Sequence, residues 1–106
     1  MRKIIINRKK ALAGCVGKVL IYTIDRIEED TAITKNSCNF LGNVKNSSAL
    51  ESEITENEIT IIAAYDNLGV FVVTDYIVIP QGTEDVVLSG KVKFNPSKGN
   101  PFIFEK

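Results

Sequence analysis

Asp85-Val86-Val87-Leu88-Ser89-Gly90-Lys91-Val92-Lys93-Phe94 is the stretch that decides the fold. Val86, Leu88, Val92 and Phe94 fall on one parity with Gly90, while Ser89, Lys91 and Lys93 fall on the other. Successive side chains of a strand point to opposite faces, so this period of two predicts a strand with one buried and one solvated face. The preceding residues carry the same message. Residues 70–79 form a long Val- and Ile-rich strand, bent near Asp75, and Asp66, Asn67 and Gly69 supply a hairpin turn ahead of it. Residues 58–65 are its partner. Ile79-Pro80-Gln81-Gly82 reads as a type I turn with Pro80 setting φ and Gly82 closing it. After a loop over 95–101, Phe102-Ile103-Phe104 makes a short last strand at a sheet edge.

The first half of the chain continues the pattern. Residues 2–7 read as a strand and Arg8-Lys9-Lys10 as a charged turn or edge. In a second strand over 16–25, Val19, Ile21 and Thr23 share one face, and Leu20, Tyr22 and Ile24 the other. With both faces partly apolar, this strand is expected in the interior of a sheet. Residues 26–31 read as a loop or one helical turn, 31–34 as a short strand and Lys35-Asn36-Ser37 as a turn. Residues 38–45 form a strand interrupted by Gly42, the expected place for a bulge. Asn46-Ser47-Ser48 turns the chain into residues 49–54. The expectation is one all-β domain over residues 1–106. It is an antiparallel β-sandwich, immunoglobulin-like or jelly-roll-like, of about eight or nine strands.

Formal net charge is zero, yet residues 1–24 carry six basic residues and no acid, leaving seven basic and 13 acidic residues in the rest. In a sandwich, the basic first strands would lie beside acidic ones or against an acidic face of another copy. A nucleic-acid partner would call for a larger basic surplus, and none is expected. Hydrophobic residues at 44% supply a core, and no stretch reaches the length of a membrane-spanning helix. Leu12-Ala13-Gly14-Cys15 matches a lipidation box, but only four residues separate the charged Arg8-Lys9-Lys10 from the cysteine, where a signal peptide needs a longer uncharged apolar run. The expected location is the cytoplasm. Cys15 and Cys38 are too few for a disulfide scaffold, and two free, partly buried thiols are expected, although one bridge between them is open.

The chain has no histidine, which removes the commonest general base and metal ligand. Cys15, Cys38 and the serines and threonines therefore lack a histidine activator. Glu28-Glu29-Asp30 and Glu51, Glu53, Glu56 and Glu58 are the candidate carboxylate clusters. Glu51 and Glu53 share a strand parity, the pattern of a solvated face. Tyr22, Tyr65, Tyr76, Phe71, Phe102 and Phe104 could form a sugar-stacking platform, but core filling accounts for them better. Asn46-Ser47-Ser48 fits a glycosylation acceptor and is also an ordinary turn. No catalytic, cofactor-binding or metal residue is assigned, and no enzymatic activity or cofactor is expected.

Ile4-Ile5-Ile6, the strand Lys18-Val19-Leu20-Ile21-Tyr22-Thr23-Ile24-Asp25 and the later Leu41-Gly42-Asn43-Val44-Lys45-Asn46 carry a resemblance. Their order resembles small bacterial β-sandwich domains of the PEGA-like kind, in which a Gly-x-x-Lys-Asn-Gly segment follows a strand ending in Asp. Here Ser47 stands where that pattern has its last glycine, and residues 26–40 intervene. The resemblance implies a non-enzymatic contact module and carries over no site residues. The leading expectation is a non-catalytic interaction or structural module for a protein partner or for self-association, with no membrane partner. The alternative is a small-ligand-binding sandwich, for a carbohydrate or divalent cation, using loops 26–37 and 95–101.

Overall fold

The computed structural model describes residues 1–10, 17–93 and 101–105. Among them lie eight strands: β1 (Arg2–Arg8), β2 (Val19–Ile24), β3 (Asn39–Val44), β4 (Ala49–Ile54), β5 (Ile59–Asn67), β6 (Val70–Ile79), β7 (Val86–Val92) and β8 (Phe102–Phe104). They form two four-stranded sheets, ordered β4-β1-β7-β8 and β3-β2-β5-β6. The all-β sandwich expected from the sequence is therefore present, with β2 in the interior of its sheet and β8 at an edge. One pairing departs from the antiparallel expectation. β1 lies parallel to β7, with Ile4 opposite Val86 and Ile6 opposite Leu88. The other pairings among the described strands are antiparallel. Both β1 and β7 alternate strictly, so either relative direction would have buried the same side chains.

The core between the sheets is built from Ile4 and Ile6 of β1, Val19 and Ile21 of β2, Val44, Ile54, Ile59, Ile61, Ala63 and Ile79. Leu88, Val92, Phe102 and Phe104 complete it. β-branched residues dominate because each packs a stiff side chain against the facing pleat. Phe102 lies over Gly90, and its ring meets Phe104 edge-on at 5.4 Å. β1 also sends two arginines inward, since Arg2 and Arg8 share the parity of Ile4 and Ile6. Each sits at one end of the core and donates to main-chain oxygens, although the buried Nε of Arg8 has no hydrogen-bond partner among the described residues. Arg2 donates to the carbonyls of Thr55, Asn57 and Pro80. Arg8 Nη1 donates to those of Gly17 and Val44, both at 2.9 Å. A guanidinium fans its donors across several acceptors, so each arginine ties strand ends of both sheets together.

Several local expectations are corrected. Residues 31–34 form no strand; Thr34 instead precedes a single 3-10 turn, Lys35–Ser37, and the Ser37 hydroxyl donates to the Thr34 carbonyl. Thr31-Ala32-Ile33-Thr34 has no neighbouring strand to complete a ladder, so its β-propensity goes unused. The Gly82 amide closes no turn on Ile79 but donates to the Glu56 carbonyl at 2.9 Å, linking two loops. The β5–β6 hairpin turns through Leu68 and Gly69, with φ of 53° and 85°, and the Asp66 carboxylate accepts the Gly69 N–H. Positive φ at both central residues matches the strand twist, as in a type I′ turn. Leucine, not the expected asparagine, thus takes the first left-handed position. Ser47 takes φ 62°, in the left-handed region that glycine adopts most readily. The lipidation-box residues 12–15, with Cys15, Phe94 and most of loop 95–101, fall outside the described residues.

Candidate interaction surface

The two outward faces of the sandwich differ in chemistry. On the β4-β1-β7-β8 sheet, Glu51 and Glu53 of β4 stand beside Ile5 and Lys3 of β1, with Val87 and Ser89 of β7 next in line. Lys3 Nζ pairs with Glu51 at 3.2 Å, and the Lys3 N–H donates to Asp85. The Glu51 carboxylate, by hydrogen bond and then by charge, raises the Lys3 pKa above 10.5. Lys9 pairs with Glu105 at 2.9 Å. The basic start of the chain is thus laid between acidic neighbours, while Arg2 and Arg8 are withdrawn into the interior. Of the two acidic clusters read from the sequence, Glu51 and Glu53 lie on this solvated face. Among the described residues no three Asp, Glu or Cys side chains are grouped to hold a metal ion.

The outward face of the β3-β2-β5-β6 sheet is apolar. Strand register arranges it in rows. Leu20 lies beside Ala64 and then Val73; Tyr22 lies between Phe40 and Ile62, followed by Tyr76; Ile24 lies beside Thr60 and then Val78. Tyr22, Ile62 and Ala64 are buried here, outside the sandwich interior, with Ile33, Cys38, Phe71 and Val73 packed onto them. The small Ala64 side chain leaves room for Phe71 to reach Tyr22, and the rings meet edge-on at 5.2 Å. Phe40 meets the other edge of Tyr22 at 5.3 Å. Yet Phe40 remains 58% exposed, Tyr76 47% and Val78 49%. Large apolar side chains scattered singly on a surface are ordinary; contiguous ones on one sheet face mark an interaction site.

The loop over 26–37 folds against the β3 side of this face and shapes two depressions. One, of about 530 Å³, is floored by Leu20, Tyr22 and Phe40 and rimmed by Lys35, Asn36 and Cys38. The other, of about 430 Å³, is polar and carries Asp25, Arg26, Glu28 and Glu58 beside Ile24, Ser37 and Asn39. Residues of the 26–37 loop thus line both depressions. Of the aromatic residues singled out in the sequence, Phe102 and Phe104 fill the core, and Tyr65 packs against it. Tyr22, Phe71 and Tyr76 lie on the outer face. Cys38 is a half-buried free thiol at the rim of the larger depression.

Phe40 escapes the sequence reading for a physical reason. Unbroken alternation from Val44 through Gly42 would turn it inward. A bulge opposite Ile21 and Tyr22 inserts Leu41, so that Gly42 pairs with Ile21 but Phe40 pairs with Tyr22. The extra residue flips parity and delivers the ring to the outer face. The signal is Gly42, which marks a bulge in the sequence but does not by itself show that Phe40 changes face. No family model, curated protein or solved structure matches the chain.

Proposed function

We propose that this chain is a non-catalytic interaction module whose outward β3-β2-β5-β6 face docks a protein. The observation that supports the reading is the row Phe40, Tyr22, Ile62 and Tyr76, which runs unbroken across all four strands with two of its aromatic rings open. Aromatic side chains combine large area with few rotatable bonds, which suits them to the centre of an interface. The opposite face, with its paired charges, is a solvated surface by the same reasoning. No nucleic-acid or membrane partner is part of this reading. A cytoplasmic site of action is, and the free thiol of Cys38 accords with a reducing compartment.

The test is site-specific photocrosslinking in the source cells, with p-benzoylphenylalanine replacing Tyr76 on the apolar face or Val87 on the charged one. Protein adducts from position 76 and none from position 87 are expected. Absence of adducts at 76, or equal yield at both, would overturn the reading. A small-ligand reading has one observation in its favour, the aromatic floor of the larger depression. A carbohydrate bound there would raise the melting temperature by mass action, and Phe40→Ala would abolish that rise.

A further inference from the structure

We infer that the occupant of the apolar face is a second copy of this chain, seated through a two-fold axis that runs along the strands. The inference rests on the docking reading above and adds the partner's identity. Such an axis lays β2 over the copy's β5, and β3 over its β6, while preserving each row. The rows are then self-complementary. Lys18, just before β2, and Asp66 of β5 continue the outward alternation beyond Leu20 and Ala64, and they bracket one end of the face. Arg26 and Glu58 bracket the other end, where both line the polar depression. All four are exposed, and none belongs to the ion pairs found among the described residues. The axis sets Lys18 over the copy's Asp66 and Arg26 over its Glu58, and each pair occurs twice. Between these ends Phe40 meets the copy's Tyr76, and Tyr22 meets its Ile62. The protruding Tyr76 falls over the depression floored by Leu20, Tyr22 and Phe40.

Reciprocity of this kind, in which residue i contacts j and j contacts i, is what a closed two-fold interface requires. An axis across the strands would instead lay each strand over its own copy, with Lys18 over Arg26 and Asp66 over Glu58. That arrangement is repulsive at both ends. β2 and β3 span six residues, β5 nine and β6 ten; with strands about 4.8 Å apart they offer a face of roughly 500 Å² per copy. That area sits at the low end for specific association, so the dimer is weak and concentration-dependent.

Sedimentation equilibrium on the full chain from about 10 μM to about 1 mM spans the expected range of dissociation constants. In low salt a monomer–dimer equilibrium is expected, and Tyr76→Lys weakens it at least tenfold with an unchanged melting temperature. Arg26→Glu alone and Glu58→Arg alone each weaken it about tenfold, because each places like charges at both of its contacts. Their equimolar mixture regains association, since the heterodimer restores both opposite-charge contacts while each chain keeps its own internal clash. A role confined to one chain cannot produce that recovery. A wild-type chain that is monomeric at about 1 mM in low salt, a Tyr76→Lys chain that dimerises unchanged, or a mixture that stays apart each overturns the inference. Adducts at position 76 with another protein, together with a monomeric chain, would sink the second copy and leave the docking reading standing.

Discussion

Gly90 shows how much a single hydrogen in place of a side chain can decide. A Cβ at this position would overlap the Phe102 ring and stand 2.8 Å from the Ile103 carbonyl oxygen. Gly90→Ala should therefore destabilise the chain by about 1–3 kcal/mol, as overpacked cores do, visible as a lower urea midpoint. Leu68 poses the opposite case. It is 99% exposed and holds φ 53°, a conformation that costs a non-glycine side chain about 1 kcal/mol. Leu68→Asn is expected to raise stability by about 0.5–1 kcal/mol, because asparagine tolerates the left-handed region. At this scale the sequence was legible where parity alone decided the outcome. Val86, Leu88 and Val92 turn inward together, as their spacing predicts. It was silent where a backbone angle decided, as at Leu68. Arg2 and Arg8 share parity with Ile4 and Ile6, so the alternation did point them inward. Charge concealed the fact, because an arginine enters a core only when carbonyls converge on it, and convergence is a property of the assembled fold.

Among the elements, β6 does more than pair with β5. Its bulge opposite Ala63 and Ala64 frees Thr74 and Asp75 to reach the edge strand of the other sheet. Thr74 Oγ1 donates to the Phe102 carbonyl, and the Asp75 carboxylate accepts the Phe104 N–H at 2.8 Å. Side chains thus occupy edge groups of β8 that would otherwise be open to a foreign strand. Asp75→Ala should cost about 1–3 kcal/mol by leaving that N–H without its acceptor. Amide exchange at Phe104 should accelerate more than at Ile61, where the ladder is untouched. The bend near Asp75 was legible from the polar residue interrupting a Val- and Ile-rich run. Its use was not, because β8 lies 29 residues away in sequence from the carboxylate it meets. Residues 31–34 show the converse. Their composition suits a strand, but a strand needs a neighbour, and none comes alongside.

For the whole molecule, part of the uneven charge visible in the sequence resolves inside one copy. β1 lies between β4 and β7, so Lys3 finds Glu51, and Lys9 finds Glu105 on the strand end beyond. Since the Lys3 pKa is raised in the folded chain, its contribution to stability is fully present below 10.5 and is lost as pH rises through the raised value. Urea midpoints followed upward from pH 9 should therefore fall for the wild type, and fall less for Lys3→Met.

The parallel neighbours β1 and β7 also impose an order of assembly. The β3-β2-β5-β6 sheet uses residues 19–79 alone, whereas the opposite sheet joins β1 and β4 to the last two strands. A chain emerging from the ribosome can hydrogen-bond the aromatic sheet while the isoleucines of β1 still await β7. Only synthesis past residue 92 lets that second layer close. Pairing between such distant segments is slow because loop closure comes first. Until then the second layer consists of β1 and β4 alone, the inner wall is left partly open to water, and nascent chains truncated before β7 should be captured by chaperones.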